Sequence, residues 1–310
     1  IDRSTVATES TEAAVSGCDE GACDRVDADF DWSSAESWSG GEPTEEGEPI
    51  EARRAAAPIE DTRVAALVAG CASSSSERPV PVGPIDYSVV CHQLENSGKA
   101  TRALRWFHAS AERRAAYEQT FRLAIDKITA QARGRAPGTW AVIADADETL
   151  LDNSKAECAD QVQGVVNFDA NRWTQWVLAE QAEALPGAVA FAAAVHNLGG
   201  KLIVISNREE LPHREATLSN FAKLGIPVDV LLLAKDRNDL DKNTRFRLVE
   251  EVGIAAAKLP RLPVLAYVGD NIKDFPYLSQ VDIGDPALFG SRYFLLPNPV
   301  YGSWQRLPLR

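Results

Sequence analysis

Five short runs from residue 140 onward are apolar on nearly every residue: Trp140–Ala144, Lys201–Ile205, Val228–Leu233, Pro263–Val268 and Arg292–Leu296. A strand with one wet face alternates polar and apolar residues, so runs without alternation are covered on both faces. Between them lie stretches of helical spacing, near 173–184, 187–198, 212–224, 242–257 and 273–279. Buried strands separated by helices predict an α/β fold with a doubly wound parallel sheet. Ahead of them, Leu104, Phe107, Tyr117, Phe121, Ala124, Ile125 and Ile128 recur at three- and four-residue steps, and Pro137 and Gly138 end the pattern. That spacing predicts N-terminal helices packed on the sheet.

In an open parallel sheet, ligands gather outside the carboxyl ends of the strands. The first run leads into Asp145, Asp147, Glu148 and Asp152, four carboxylates in eight residues. The second leads into Ser206, Asn207 and Arg208, and the fourth into Asp270, Asn271 and Asp274. Lys242 stands at an expected helix start after the third. One such residue would be an ordinary cap or turn. Together they predict a polar site at one sheet edge.

Like charges this close repel and raise each other's pKa. Side chains two apart on an extended segment point the same way, so Asp145 and Asp147 are expected to share the site, with Asp270 beside them. A pocket of few carboxylates suits Mg²⁺, which keeps several waters and takes a substrate phosphate. A calcium loop fits poorly. It needs Gly at position six and Glu at twelve, where this chain has Leu150 and Ala156.

Charge is unevenly spread. Residues 1–50 hold 14 acidic and 2 basic residues, against 31 and 30 in the remainder. A near-neutral body offers no footprint for a nucleic acid polymer. The acidic leader lacks apolar periodicity and is expected to be disordered. Arg53, Arg54 and Arg63 precede a short apolar run, Val64–Gly70, then Cys71 and, after Ala72, four serines. This resembles a bacterial lipobox, which would place a lipid anchor on Cys71 and make the membrane a partner. Residues 1–70 then read as leader and signal, 71–84 as a Ser/Pro-rich tether, and 85–310 as the folded domain. No apolar run is long enough for a transmembrane helix. Cys91 and Cys158 are left as either one disulfide or two buried thiols.

DADET (145–149), ISNR (205–208), the Lys242 segment and GDNIKD (269–274) together resemble the four motifs of the haloacid dehalogenase (HAD) phosphatases. LLDNS (150–154), FDANRWTQWV (168–177), LPGA (185–188) and FGSRYFLLPNPVYGSW (289–304) extend the resemblance to class C acid phosphatases, lipoprotein nucleotidases of the bacterial envelope. It runs in order from about Tyr87 to Trp304 and includes ASAERRAAY (109–117). Ala146 departs from it, standing where a larger apolar residue is usual.

The resemblance implies a phosphomonoesterase with Asp145 as nucleophile, forming an aspartyl-phosphate, and Asp147 as acid and then base. Thr149 would brace the loop, Ser206 and the Asn207 backbone would hold phosphoryl oxygens, and Lys242 would neutralise charge. Mg²⁺ would bind Asp145, the Asp147 carbonyl and Asp270, supported by Asp274. The insert of about 152–185 reads as a small helical cap. Trp173 there and Tyr301 near the C-terminus are the implied stacking pair for a nucleobase or other aromatic ring. The competing readings are a phosphotransferase with the same nucleophile and a surface-anchored binding lipoprotein on an inactive phosphatase fold. The oligomeric state stays open, a homodimer among the options.

Overall fold

The AVIA run forms strand β1 (Ala141–Ala144), buried at every position. It lies at the centre of a five-stranded sheet whose other members are β4 (Lys201–Glu209), β5 (Val230–Ala234), β6 (Val264–Gly269) and β7 (Tyr293–Leu295). The order is β5-β4-β1-β6-β7, and every pairing is parallel. The computed structural model describes residues 85–309. The acidic leader, Cys71 and the tether lie outside the described residues.

Successive residues of the central strands feed opposite cores. Val142, Ala144, Leu202 and Val204 join the larger cluster, while Ala141, Ile143, Ile203 and Ile205 join the smaller. The larger face is covered by helices α1 (Val90–Ser97), α2 (Arg102–Ala109), α3 (Ala111–Ala132), α6 (Ala188–Asn197) and α7 (Glu210–Lys223), with α4 (Ser154–Val162) and α5 (Ala170–Ala179) of the insert. The smaller carries α8 (Asn243–Arg247), the π turn Leu248–Val252 and the buried Phe275. Two covered faces are what the unalternating strands require. The fold is α/β and HAD-like.

Several elements differ from the expected pattern, each for a local reason. Helix α1 escapes detection because only Val90 and Leu94 are buried in its eight residues, too few to show a period. Gly98 ends it at φ 69°. The single region 101–132 is two helices. Ser110 is extended there, and its Oγ accepts from the Arg113 N–H to start α3. The stretch 273–279 yields one 3₁₀ turn, Ile272–Asp274. Asn271 and Asp274 cap it reciprocally, and Phe275 then leaves in extended conformation.

The insert between β2 (Leu151–Asp152) and its antiparallel partner β3 (Glu183–Ala184) carries α4 (Ser154–Val162) and α5 (Ala170–Ala179). Helix α5 starts before the expected residue 173 because Asp169 accepts from the N–H groups of Asn171 and Arg172. It stops at Glu180, φ 53°. Cys91 on α1 and Cys158 on α4 form a disulfide, which decides between the two readings of that pair.

Candidate active site

The chain leaves β1 at Asp145 and turns sharply rather than running on extended. The amides of Leu150 and Leu151 both donate to the Ala146 carbonyl, and the Glu148 amide donates to that of Leu151. Glu148 takes φ 53° to make the turn. The two leading carboxylates are therefore neighbours because of a turn, not because of strand alternation. Tyr117 of α3, fully buried, fixes the arrangement by donating its hydroxyl to the carbonyls of Glu148 and Pro297 at 2.6 and 3.2 Å.

The two carboxylates have different surroundings. Asp145 meets the ammonium of Lys242 at 2.6 Å, and the same ammonium reaches Asp274 at 2.7 Å. Lys242 is delivered by the start of α8 and is 4% exposed. Asp274 folds back over the end of β6, where its Oδ2 accepts from the Asn271 amide. That return needs Gly269, since a Cβ there would lie 2.3 Å from the Asp274 Cβ. Asp270 accepts from the Thr149 hydroxyl and the Asn298 amide, each at 2.9 Å. Carboxylate oxygens of Asp145, Asp270 and Asp274 all lie within 4.8 Å of one another.

Three carboxylates against one ammonium would, if all ionised, leave this largely buried cluster two negative charges in excess. Burial pushes Asp145 up to about 7 despite Lys242, with Asp274 and Asp147 adding to the push. Burial likewise raises Asp270 well above the carboxylate range, aided by Asp274 and Asp145. Burial alone would depress the Lys242 ammonium, but Asp145 and Asp274 more than offset it and hold it above its usual value. A divalent cation is the charge that would balance the cluster, and an all-oxygen set is the donor chemistry a hard cation takes. The residues present fit such an ion.

Asp147 turns the other way. Its carboxylate takes a two-pronged hydrogen bond from Arg208, a further bond from the Asn153 amide and a long one from the Ser206 hydroxyl. Ser206 and Arg208 reach it because β4 bulges after Ile205 before re-pairing at Glu209. Buried Arg245 props that bulge from below, donating to the Ser206 carbonyl at 2.6 Å and the Asn207 side chain at 2.7 Å. Asn207 itself is exposed. Trp173 of α5 lies against the guanidinium of Arg208, 5.6 Å from ring centroid to carbon. Tyr301 hangs from the loop of Asn298, whose side chain accepts from the Tyr301 amide at 3.4 Å.

The family model described as HAD superfamily, subfamily IIIB (Acid phosphatase) matches residues 85–304. The chain belongs to this family. Among solved structures, this acid phosphatase is similar to the class C acid phosphatase from Bacillus anthracis. Identity is 28% and the TM-score 0.55, over 70% of this chain and 88% of the other. The tungstate-bound structure of that enzyme matches at 26% identity and a TM-score of 0.57, over the same shares. The activity class follows: the acid phosphatase is a phosphomonoesterase, and HAD phosphatases generally work with a divalent metal.

The geometry of this acid phosphatase brings Asp145, Asp270, Asp274, Lys242 and Thr149 into one cluster. Asp147 and Ser206 form a second, touching the first through the DADET turn. Trp173 and Tyr301 stand one contact away, through Arg208 and through Asn298. Reasoning from sequence assigned no role to Arg208, Asn153, Arg245 or Asn298. Their signals were present, in ISNR, LLDNS, the Lys242 segment and PNP, but a polar side chain in a motif does not announce which partner it will meet.

Proposed function

We propose that this acid phosphatase hydrolyses nucleoside monophosphates or related aromatic phosphomonoesters through an aspartyl-phosphate on Asp145. The observation that carries the reading is the clustered set of Asp145, Asp270, Asp274 and Lys242 with Asp147 held beside it. One Asp145 oxygen attacks phosphorus as the bond to the ester oxygen breaks, and Asp147 gives its proton to the departing oxygen. Asp147 then takes a proton from water, whose oxygen attacks phosphorus and returns Asp145 as phosphate leaves. Ser206 and the Asn207 amide hold the phosphoryl oxygens, and Lys242 balances their charge. Mg²⁺ would be held by Asp145, the Asp147 carbonyl and Asp270, with Asp274 behind them. It would supply charge neutralisation at the phosphoryl group. The tungstate of the related Bacillus anthracis structure is an oxoanion, as the transferred group is.

Activity on a panel of phosphomonoesters is expected to vanish with a chelator and return with Mg²⁺. Equal recovery with Ca²⁺ would reject a small octahedral site. Transfer of phosphate to added alcohols in preference to water would favour the phosphotransferase reading.

Trp173 and Tyr301 are proposed to sandwich the base. Either residue replaced by Ala is expected to lower efficiency on a nucleoside monophosphate roughly ten- to a hundredfold, since stacking is worth about 1–3 kcal/mol. Glycerol phosphate, which has no ring, is expected to be hydrolysed as before. Equal losses on both substrates would make these residues scaffold rather than specificity contacts.

The cell envelope is the proposed location, reached through a lipid on Cys71. No helix among the described residues is long and apolar enough to cross a membrane. Cys71→Ser is expected to move the protein from the membrane to the soluble fraction with kcat unchanged, and continued membrane retention would reject the anchor.

A further inference from the structure

Asp147 is held more tightly than a proton carrier needs to be. Arg208 Nη2 donates to its Oδ1 at 2.7 Å, and Nε donates to Oδ1 and Oδ2 at 3.0 and 3.1 Å. Asn153 adds a third donor to Oδ1 at 2.9 Å, while Oδ2 receives only the Ser206 hydroxyl besides, at 3.3 Å. Arg208 is 2% exposed, and its remaining Nη1 donates to the Thr217 hydroxyl at 3.0 Å. Asn153, equally buried, is fixed in turn by the indole N–H of Trp176 at 2.7 Å. A buried ion pair gains little net stability over apolar packing of the same shape. What a planar fork supplies that packing cannot is a fixed orientation of the carboxylate.

We infer that Arg208 is a positioning residue for proton transfer: it pins Oδ1 of Asp147 so that Oδ2 is the oxygen that hands the proton to the leaving group. The inference rests on the acid role proposed for Asp147. Oδ1 is saturated by three donors, and Oδ2 is bound by two long contacts that a proton on that oxygen can displace. Asn153 holds Oδ1 from the insert, and Arg208 holds it from β4.

The experiment compares leaving groups. An alkyl phosphate such as glycerol phosphate departs as a poor leaving group and needs a proton donor. An aryl phosphate with a strongly acidic phenol needs none. The measure is kcat/KM, which includes only steps up to leaving-group departure. Arg208→Gln is expected to lower kcat/KM on glycerol phosphate by roughly 10²–10³-fold and on the aryl phosphate by less than about fivefold, within the range of general acid catalysis. Arg208→Lys keeps the buried charge without the fork and is expected to show the same selectivity to a smaller degree, so the test survives if the Gln variant does not fold. A displaced Trp173 would penalise the aryl ester instead, the opposite pattern. Asp147→Asn is run alongside. If it lacks the selectivity, the acid role of Asp147 fails and the inference fails with it. If it shows the selectivity while both Arg208 variants lose equally on the two esters, or lose nothing, the acid role stands and the inference is overturned.

Discussion

Asp145→Asn is expected to lower phosphomonoester turnover by at least about 10⁴-fold, the scale seen when a covalent nucleophile is removed. An amide cannot form the acyl-phosphate. The fold is expected to survive the change and to melt no lower than the parent. The reason lies in the charge of the site: Asp145 is one of three clustered carboxylates, two half-buried and one buried, served by a single ammonium, and loss of hydration already pushes it up to about 7. Replacing it with a neutral isostere relieves repulsion while keeping a hydrogen-bond acceptor for Lys242. The measurements are steady-state turnover and a melting curve on the same preparation. A well-folded variant that retains a tenth of its activity would reject covalent catalysis at this residue.

Lys242→Met is expected to damage both stability and rate. Removing one partner of a buried pair leaves the other charge unpaired, at a cost of about 3–5 kcal/mol. Here two carboxylates, Asp145 and Asp274, lose the same ammonium. For a domain of this size the loss corresponds to a fall in melting temperature of roughly 10 °C. Millimolar Mg²⁺ is expected to recover part of it, because an ion that binds only the folded state stabilises that state by mass action. Combining Lys242→Met with Asp274→Asn is expected to restore the melting temperature but not the rate. That separates the structural duty of the ammonium from the duty toward phosphate proposed for it. A single variant that melts and turns over like the parent would remove Lys242 from the site altogether.

How much of this site the sequence discloses depends on what each residue's role needs in order to be seen. The strands are legible because both faces are covered, so AVIA and VLAYVG carry no polar interruption until the chain reaches the sheet edge. The residues there stand out by contrast. Less legible are contacts made across elements. Arg208 meets Asp147 only because β4 bulges, and a bulge leaves no mark in the run KLIVISNRE. Asn153 looks like the cap of the helix that follows, yet its side chain makes no capping bond and instead joins Asp147 to Trp176. The stretch 273–279 has helical spacing, but Asp274 is drawn back to Asn271 and Lys242, and the helix does not form. The pairing of Cys91 with Cys158 has no local signature, since 67 residues separate them.

That disulfide encloses more than a packing contact. The covalent ring it closes contains α2, α3, β1 and the DADET turn, and so contains Asp145, the proposed nucleophile. Closing a ring of this length removes unfolded conformations worth about 4 kcal/mol on a chain-entropy model. The exposed turn after α3 offers Arg133 and Arg135 to a protease. A cut there would sever the N-terminal helices from the strand that leads into Asp145. The sulfur bridge would hold the two pieces as one molecule, with Tyr117 still seated beneath the DADET turn.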